Sequence, residues 1–151
     1  MIELEPRDPD FEKKVRSSFA RQNTMKTLGI EIARLSPGII ELSMPFNESY
    51  TQQHGFLHAG IVTTALDSAC GYAAFSLMDA DAAVLTVEFK TNLIAPAEGD
   101  CFVFRASVLK PGRTLTICEA KAFAFKNETE KLVASMTGTL MSIRDRQGVV
   151  Q

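Results

Sequence analysis

A polar, glycine-bearing loop that runs into a long apolar segment is the feature that most constrains this sequence. The loop covers residues 52–60, and the large apolar side chains of residues 61–78 recur at spacings of three and four, which predicts a helix. One carboxylate, Asp67, lies within this helix. Burying a lone carboxylate costs free energy unless its charge is paired or used. We therefore predict that the rest of the chain is a scaffold for this loop, this helix and this acid.

Size and charge narrow the possible functions. A chain of 151 residues is most simply one domain that buries a sizeable core without disulfides or metals. The net charge of −2 argues against a non-specific nucleic-acid binder, which is usually basic, so we expect no nucleic-acid partner. The three cysteines, at positions 70, 101 and 118, form no CxxC pair. This odd, scattered set indicates a reducing compartment, and we expect a cytoplasmic protein.

The apolar segment also has to be weighed as a membrane span. Residues 59–78 are about long enough to cross a bilayer. However, Asp67, Gly71 and several hydroxyl side chains lie within this stretch, and basic flanks are missing. The N-terminus is acidic and has no apolar stretch behind basic residues, unlike a secretory signal. We predict neither a membrane span nor a secretory signal.

The chain divides into three parts. Asp8 before Pro9 is a helix-start signal, and an apolar stripe with a spacing of four follows it, so residues 1–28 form an N-terminal helical segment that fades by Asn23. We expect this segment to brace the domain and to contribute no chemistry. Residues 29–145 form a single domain, and residues 146–151 a polar tail.

The domain is predicted to be α+β. Alternating apolar residues and turn signals predict strands at residues 30–35, 38–44, 84–94, 101–109, 114–125 and 131–143. Short turns between the last four strands predict antiparallel neighbours. A single long helix has one sheet to pack on, so we expect a curled antiparallel β-sheet wrapped around the helix.

One face of the predicted helix is unusual for a surface. At about 100° per residue it collects small side chains and the acid: Gly60, Thr63, Thr64, Asp67, Gly71 and Ala74. Solvent-facing helix surfaces usually carry Lys, Glu or Arg, and this face has none. We predict that another subunit or a ligand covers it.

These residues and this order of elements resemble the hotdog fold, and within it the PaaI-like acyl-CoA thioesterases. Members carry Asn or Gln, then His-Gly-Gly, then an acid nine residues after that His. Here Gln52, His58-Ala59-Gly60 and Asp67 stand at those positions. Ala59 replaces the common Gly but still supplies a backbone N–H. A second similarity is the segment Thr86-Val87-Glu88-Phe89 followed by residues 96–100, and the resemblance spans roughly residues 29–143.

The resemblance implies hydrolysis of an acyl-CoA thioester. The amide of Ala59 or Gly60, at a helix N-terminus that favours negative charge, would hold the thioester oxygen. Gln52 would orient or polarise the same group. Asp67 would act as nucleophile or as general base on a water, and both roles stay open. Thr86 matches a Ser or Thr that positions water in similar enzymes.

Helix geometry predicts a homodimer. Asp67 lies eight residues after Ala59, or about 12 Å along a helix, too far for both to act on one carbonyl. A twofold axis that sets two such helices antiparallel would bring Asp67 of one chain to the helix start of the other. If the two groups cooperate, they come from different subunits, as the resemblance implies. We also expect such dimers to pair into a dimer of dimers.

The remaining substrate-binding candidates are polar or basic residues of loops and turns. The loop before the helix supplies His54, Gly55 and His58, of which the resemblance assigns His58 to shaping the pocket. The wall of the pocket and the coenzyme A phosphates are assigned to Asn92, Lys90, Lys110 and Arg113, since phosphates favour Lys and Arg.

A metal site is not expected, although His54 and His58 are four residues apart. That spacing binds a metal when both side chains lie on one helix face, and Gly55 predicts a loop at His54. We expect no cofactor either, because coenzyme A is part of the substrate.

Two other functions stay open at this stage. One is a hotdog hydratase or dehydratase, which would use a catalytic histidine on an acyl thioester. The other is a non-catalytic acyl-CoA binder, which would need no acid at position 67. The acyl group itself, medium-chain, long-chain or aryl, is open as well.

Overall fold

The structure, a computed structural model, describes residues 3–151 as one α+β domain. Two short helices, α1 (Phe11–Arg21) and α2 (Asn23–Leu28), precede the long helix α3 (Ala59–Phe75), and a 3₁₀ turn spans Glu48–Tyr50. The strands are β1 (Glu31–Ser36), β2 (Ile39–Pro45), β3 (Ala83–Leu93), β4 (Cys101–Lys110), β5 (Leu115–Lys126) and β6 (Thr129–Ile143). Among the described residues, no helix is both long and apolar enough to cross a membrane.

The six strands form one antiparallel sheet in the order β1-β2-β4-β5-β6-β3, which confirms the predicted curled sheet around a central helix. The expected pairing of β3 with β4 is wrong, because β3 pairs with β6 instead. The connection from Ile94 to Asp100 is not a hairpin turn. The amides of Ile94 and Ala95 donate to the Val133 carbonyl, and the Ala97 carbonyl accepts from Leu57. These bonds hold the segment beside β6 and beneath the loop that precedes α3.

Helix α3 lies against the inner face of the sheet because small and large side chains alternate there. The predicted alternation of β5 is confirmed, since its inward residues Thr116, Cys118, Ala120 and Ala122 are all buried. Alanines on both α3 and β5 let the helix come close to the sheet, while Phe102 and Phe104 of β4 are fully buried and fill the remaining space.

The N-terminal segment differs from the sequence prediction at both ends. Helix α1 begins at Phe11 rather than Pro9, because the Asp8 carboxylate accepts from the Asp10 amide at 2.9 Å in a turn before the helix. The helical structure also does not end at Asn23. It changes direction at Gln22, whose backbone is extended, and continues as α2 until Gly29 ends the helix in a left-handed conformation with φ of +67°.

Lys14 ties this segment to the far end of α3. Its Nζ donates to the carbonyls of Met78 at 2.6 Å and Asp79 at 3.3 Å, just beyond the C-terminal end of the helix. It also lies 3.5 Å from Asp8 and over the ring of Phe75. A cation at a helix C-terminus is stabilised by the helix dipole, so α1 is docked by charge as well as by packing.

Strand β3 forms one edge of the sheet and exposes apolar side chains. Leu85, Val87, Phe89 and Leu93 are each at least 43% exposed. A bulge between Thr86 and Glu88 interrupts the pairing with β6 and leaves Val87 unpaired. An exposed, apolar edge strand is a surface that a soluble chain usually covers.

Candidate active site

The loop before α3 is a tight turn closed by backbone hydrogen bonds. The amide of Gln52 donates to the Phe56 carbonyl at 2.9 Å, and the amide of Gly55 donates to the Gln52 carbonyl at 3.0 Å. Gly55 has a φ of +84°, a conformation that side chains with a Cβ rarely adopt. The turn therefore requires glycine at this position and presents the side chain of Gln52 toward the helix start.

His58 caps the N-terminus of α3. Its Nδ1 accepts from the Gly60 amide at 2.9 Å and so satisfies one of the free amides at the helix start. The Ile61 and Val62 amides donate to the His58 carbonyl. Within residues 3–151, the Ala59 amide has no acceptor. Of the two amides that the sequence left open, Gly60 is engaged by its own chain and Ala59 is the free donor.

Gln52 and Ala59 meet at a largely apolar cavity of about 480 Å³. The Oε1 of Gln52 accepts from the His54 amide, so the carboxamide NH₂ is the end that remains to donate. The walls come from the loop, from β6 and from the segment after β3, with Phe56, Leu93 and Val133 among them. No charged side chain among the described residues lines this cavity.

Asp67 is held by Thr86 across the gap between α3 and β3. The Thr86 hydroxyl donates to Asp67 Oδ1 at 2.7 Å. Burial raises the pKa of the Asp67 carboxyl above its usual range, because desolvation disfavours the charged form, and the hydrogen bond from Thr86 offsets part of that rise. A carboxyl with a raised pKa is suited to accept a proton near neutral pH.

A second, smaller cavity of about 90 Å³ opens beside Asp67 and Thr86. Among the residues that line it are Gln22, between α1 and α2, and Gln151, at the end of the chain, and neither was predicted as a site residue. Gln151 is fixed there, since it accepts from the Val84 amide and donates to Ser18. No local motif marks these positions, because they reach Asp67 only through the packing of α1 and the last residues on the domain.

The predicted small face of α3 is mostly open in the single chain. Gly60, Thr63, Thr64, Asp67 and Gly71 are partly or fully exposed. Ala74 was placed on this face by helical spacing but is buried in the core, because the last turn of α3 is enclosed on all sides.

The acid and the amide lie in separate cavities of one chain. The cavity of Ala59 and Gln52 includes neither Asp67 nor Thr86, and the cavity of Asp67 includes neither Ala59 nor Gln52. The eight-residue separation on a continuous helix corresponds to about 12 Å. The structure thus brings Asp67 together with Thr86, and Ala59 with Gln52 and His58.

The other candidate residues lie outside both cavities. His54, Lys90, Asn92, Lys110 and Arg113 are all exposed, on the loop, on β3 and at the turn between β4 and β5. Within the described part of the chain, no group of three or more His, Cys, Asp or Glu side chains is placed to hold a metal ion.

Comparison with known proteins identifies the family. The sequence profile of the thioesterase superfamily matches residues 54–131. The structure of a thioesterase family protein from Silicibacter pomeroyi is 62% identical, with a TM-score of 0.88, and the match covers 89% of this chain and 98% of that one. The Escherichia coli PaaI protein from the phenylacetic acid degradation operon shares the fold, with 20% identity, a TM-score of 0.80 and coverage of 91% and 96%.

A relative with a named activity is the 1,4-dihydroxy-2-naphthoyl-CoA hydrolase of Listeria monocytogenes. It is 25% identical over 122 residues, which cover 81% of this chain and 97% of the relative. The profile match includes the helix start, Asp67 and Thr86. The predicted resemblance in fold and family is confirmed. The chain therefore belongs to the thioesterase superfamily and is a thioester hydrolase with the hotdog fold.

Proposed function

We propose that this chain is an acyl-CoA thioesterase whose active site combines Asp67 of one protomer with the start of α3 of a second protomer. The observation that carries the proposal is the Asp67 carboxylate, which lies on a helix face that has no other charge. It accepts a hydrogen bond of 2.7 Å from the Thr86 hydroxyl. The Listeria monocytogenes relative is named as a CoA-thioester hydrolase, which supports coenzyme A as the thiol part of the substrate.

The proposed reaction uses the two half-sites for different tasks. The Ala59 amide and the NH₂ of Gln52 donate to the thioester oxygen and stabilise the negative charge that develops on it. Asp67 takes a proton from a water whose oxygen adds to the carbonyl carbon. The C–S bond then breaks, and the thiolate leaves with the proton returned from Asp67. Direct attack by the carboxylate is the alternative: it forms a mixed anhydride as the C–S bond breaks and the thiolate leaves, and a water then hydrolyses the anhydride to release the acid and free Asp67.

The cavity near Ala59 supports an uncharged, apolar acyl group. Its walls are aliphatic and aromatic, and its polar groups, Gln52 and His58, are concentrated at the end where the thioester would lie. A volume of about 480 Å³ suits a medium-chain, long-chain or aryl group. A free carboxylate on the acyl chain would find no cation among the residues that line the cavity.

The exposed edge of β3 and the open small face of α3 support the homodimer. The edge presents apolar residues such as Leu85 and Phe89, and the small face has no side chain large enough to keep a second helix away. A twofold arrangement would cover both and would place the two half-sites together. Pairing into a dimer of dimers stays a prediction.

The remaining assignments also stay predictions. Lys90, Lys110 and Arg113 are exposed cations available for the coenzyme A phosphates, and a cytoplasmic location follows from the cysteine pattern alone. A hydratase would have to use the Nε2 of His58, because its Nδ1 already accepts from the Gly60 amide.

The first prediction concerns activity and substrate. Wild type should release thiol from octanoyl-, palmitoyl- or benzoyl-CoA and not from succinyl-CoA, because the cavity is uncharged. Asp67→Ala should lose about a hundredfold or more in kcat, the usual contribution of a general base. Asp81→Ala, which removes an exposed acid beyond the helix, is the control and should keep wild-type activity. Binding of these thioesters without turnover by wild type would instead favour the non-catalytic binder.

The second prediction isolates the Ala59 amide. Ala59→Pro removes this N–H at the first position of the helix, where proline is tolerated, and His58 already has the extended ψ of 137° that a residue before proline prefers. We expect normal folding and a loss of roughly 10²–10³ in kcat, as for other oxyanion donors. Ala59→Gly keeps the N–H and should stay within a few-fold of wild type. Equal kcat values for the two variants would exclude this amide as the donor.

The third prediction tests whether the site is shared between subunits. Asp67→Ala and Ala59→Pro are each inactive, but a mixed dimer would contain one site with both groups intact and one with neither. Refolding the two variants together at equal amounts should therefore restore about a quarter of wild-type activity. A mixture that stays inactive, although mixed dimers are detected by mass, would place both groups in the same chain's site.

The fourth prediction follows from the raised pKa of Asp67. A group whose pKa is raised on folding costs stability once the pH is above its folded-state pKa, and it costs nothing when the pH is below the pKa of the unfolded chain. Asp67→Asn should therefore raise the melting temperature at pH 7, by a few degrees at most, while abolishing activity. The advantage should fade in thermal scans as the pH falls toward 3. A variant that is less stable than wild type at pH 7 would contradict a desolvated carboxylate.

A further inference from the structure

The cavity beside Asp67 is polar on most of its sides. Asp67, Ser68 and Gly71 contribute from α3, Thr86 from β3, and Gln22 from the junction of the two N-terminal helices. A water molecule occupies about 30 Å³ in the liquid, so a cavity of about 90 Å³ has room for two or three waters. A Cβ at Gly71 would meet no atom within 4 Å, so the space beside this residue is open.

Gln22 is oriented toward this cavity by its own contacts. Its backbone is extended between α1 and α2, and its carbonyl accepts from the Met25 and Lys26 amides, so the residue is fixed at both helix ends. Its side-chain Oε1 accepts from the Ser68 hydroxyl at 3.2 Å. The carboxamide NH₂ therefore remains to donate, beside a carboxylate that accepts.

We propose that this cavity holds the hydrolytic water of the Asp67 site and that Gln22 is a positioning residue that binds the water through its carboxamide N–H groups. The inference rests on the proposed role of Asp67 as general base. A water here donates one hydrogen to Asp67, accepts from Gln22, and keeps a second lone pair for the carbonyl carbon. As it attacks, its proton passes to Asp67; the C–S bond of the resulting adduct then breaks, and the departing thiolate takes that proton to leave as the free thiol.

The other titratable groups around Asp67 do not compete for this proton. Tyr72 lines the same cavity, and burial raises the pKa of its phenol. Cys70 is buried on the core side of α3, and burial raises the pKa of its thiol as well. Both groups are therefore neutral at neutral pH.

The main test is Gln22→Met, which keeps the length of the side chain and removes its N–H donors. With the acyl-CoA that wild type hydrolyses fastest among octanoyl-, palmitoyl- and benzoyl-CoA, we expect kcat to fall about tenfold, the usual effect of one hydrogen bond in the transition state, with KM unchanged. The matched control is Asn23→Ala, which removes the neighbouring exposed amide and should leave kcat and KM as in wild type.

Gln22→Glu supplies a readout that a merely structural role would not move. A second carboxylate across the cavity raises the pKa of Asp67, so the acid limb of the kcat–pH profile should shift upward by about one pH unit. The melting temperature of each variant is measured alongside, and Gln22→Glu keeps the test valid if Gln22→Met fails to fold.

The outcomes separate this inference from the proposed function. A wild-type kcat in Gln22→Met, or an unshifted acid limb in Gln22→Glu, would overturn the role of Gln22 while the loss of activity in Asp67→Ala still supports the thioesterase. If wild type hydrolyses none of the panel, the proposed function fails and the inference fails with it. A tenfold lower kcat in Gln22→Met together with an upward-shifted acid limb in Gln22→Glu would support both the role of Gln22 and the thioesterase activity.

Discussion

The cost of holding one carboxylate in a poorly solvated place is the constraint on which the rest of this structure depends. Asp67 lies on a helix whose other faces are buried, and desolvation outweighs the single hydrogen bond from Thr86. The neighbours of the acid are consequently small or polar. Gly71 leaves space on the helix, and Gln22 closes that space from the N-terminal segment. A charge that the fold does not fully compensate remains available to take up a proton.

Helix α3 also uses its two ends differently. At the C-terminal end, Lys14 neutralises the carbonyls beyond the last turn and binds α1 to the domain. At the N-terminal end, His58 caps one amide and leaves the Ala59 amide open. The chain's own Lys14 thus compensates the negative, C-terminal end of the helix dipole. The positive, N-terminal end keeps a free amide that can bind a negatively charged group. Since the helix is rigid, the distance from this open end to Asp67 is fixed, and the fold alone does not shorten it.

The sequence was sufficient for the features that depend on local pattern. The presence of α3, its burial and the alternation of β5 follow from spacing, and the structure agrees, although the helix spans Ala59–Phe75 instead of the predicted 61–78. The pairing of β3 with β6 was missed, because a short connection after β3 fits a hairpin to β4 as well as a connection that leads to a strand elsewhere in the sheet. Only non-local contacts, such as that of Ile94 with Val133, decide between the two. Gln22 was missed for the same reason: its approach to Asp67 joins residues 45 positions apart. Non-local packing leaves no mark in a single sequence.

The position of β3 at the sheet edge has a consequence for the order of folding. β3 is complete at residue 93, but its partner β6 ends only at residue 143, so this pairing closes a long loop and waits for the last strand to be synthesised. Until then the apolar residues of β3 have no strand on either side, and Thr86 has no fixed position from which to reach Asp67. The half-site that carries the acid is therefore among the last parts of the chain to be assembled, and the nascent chain is most exposed to aggregation just before it forms.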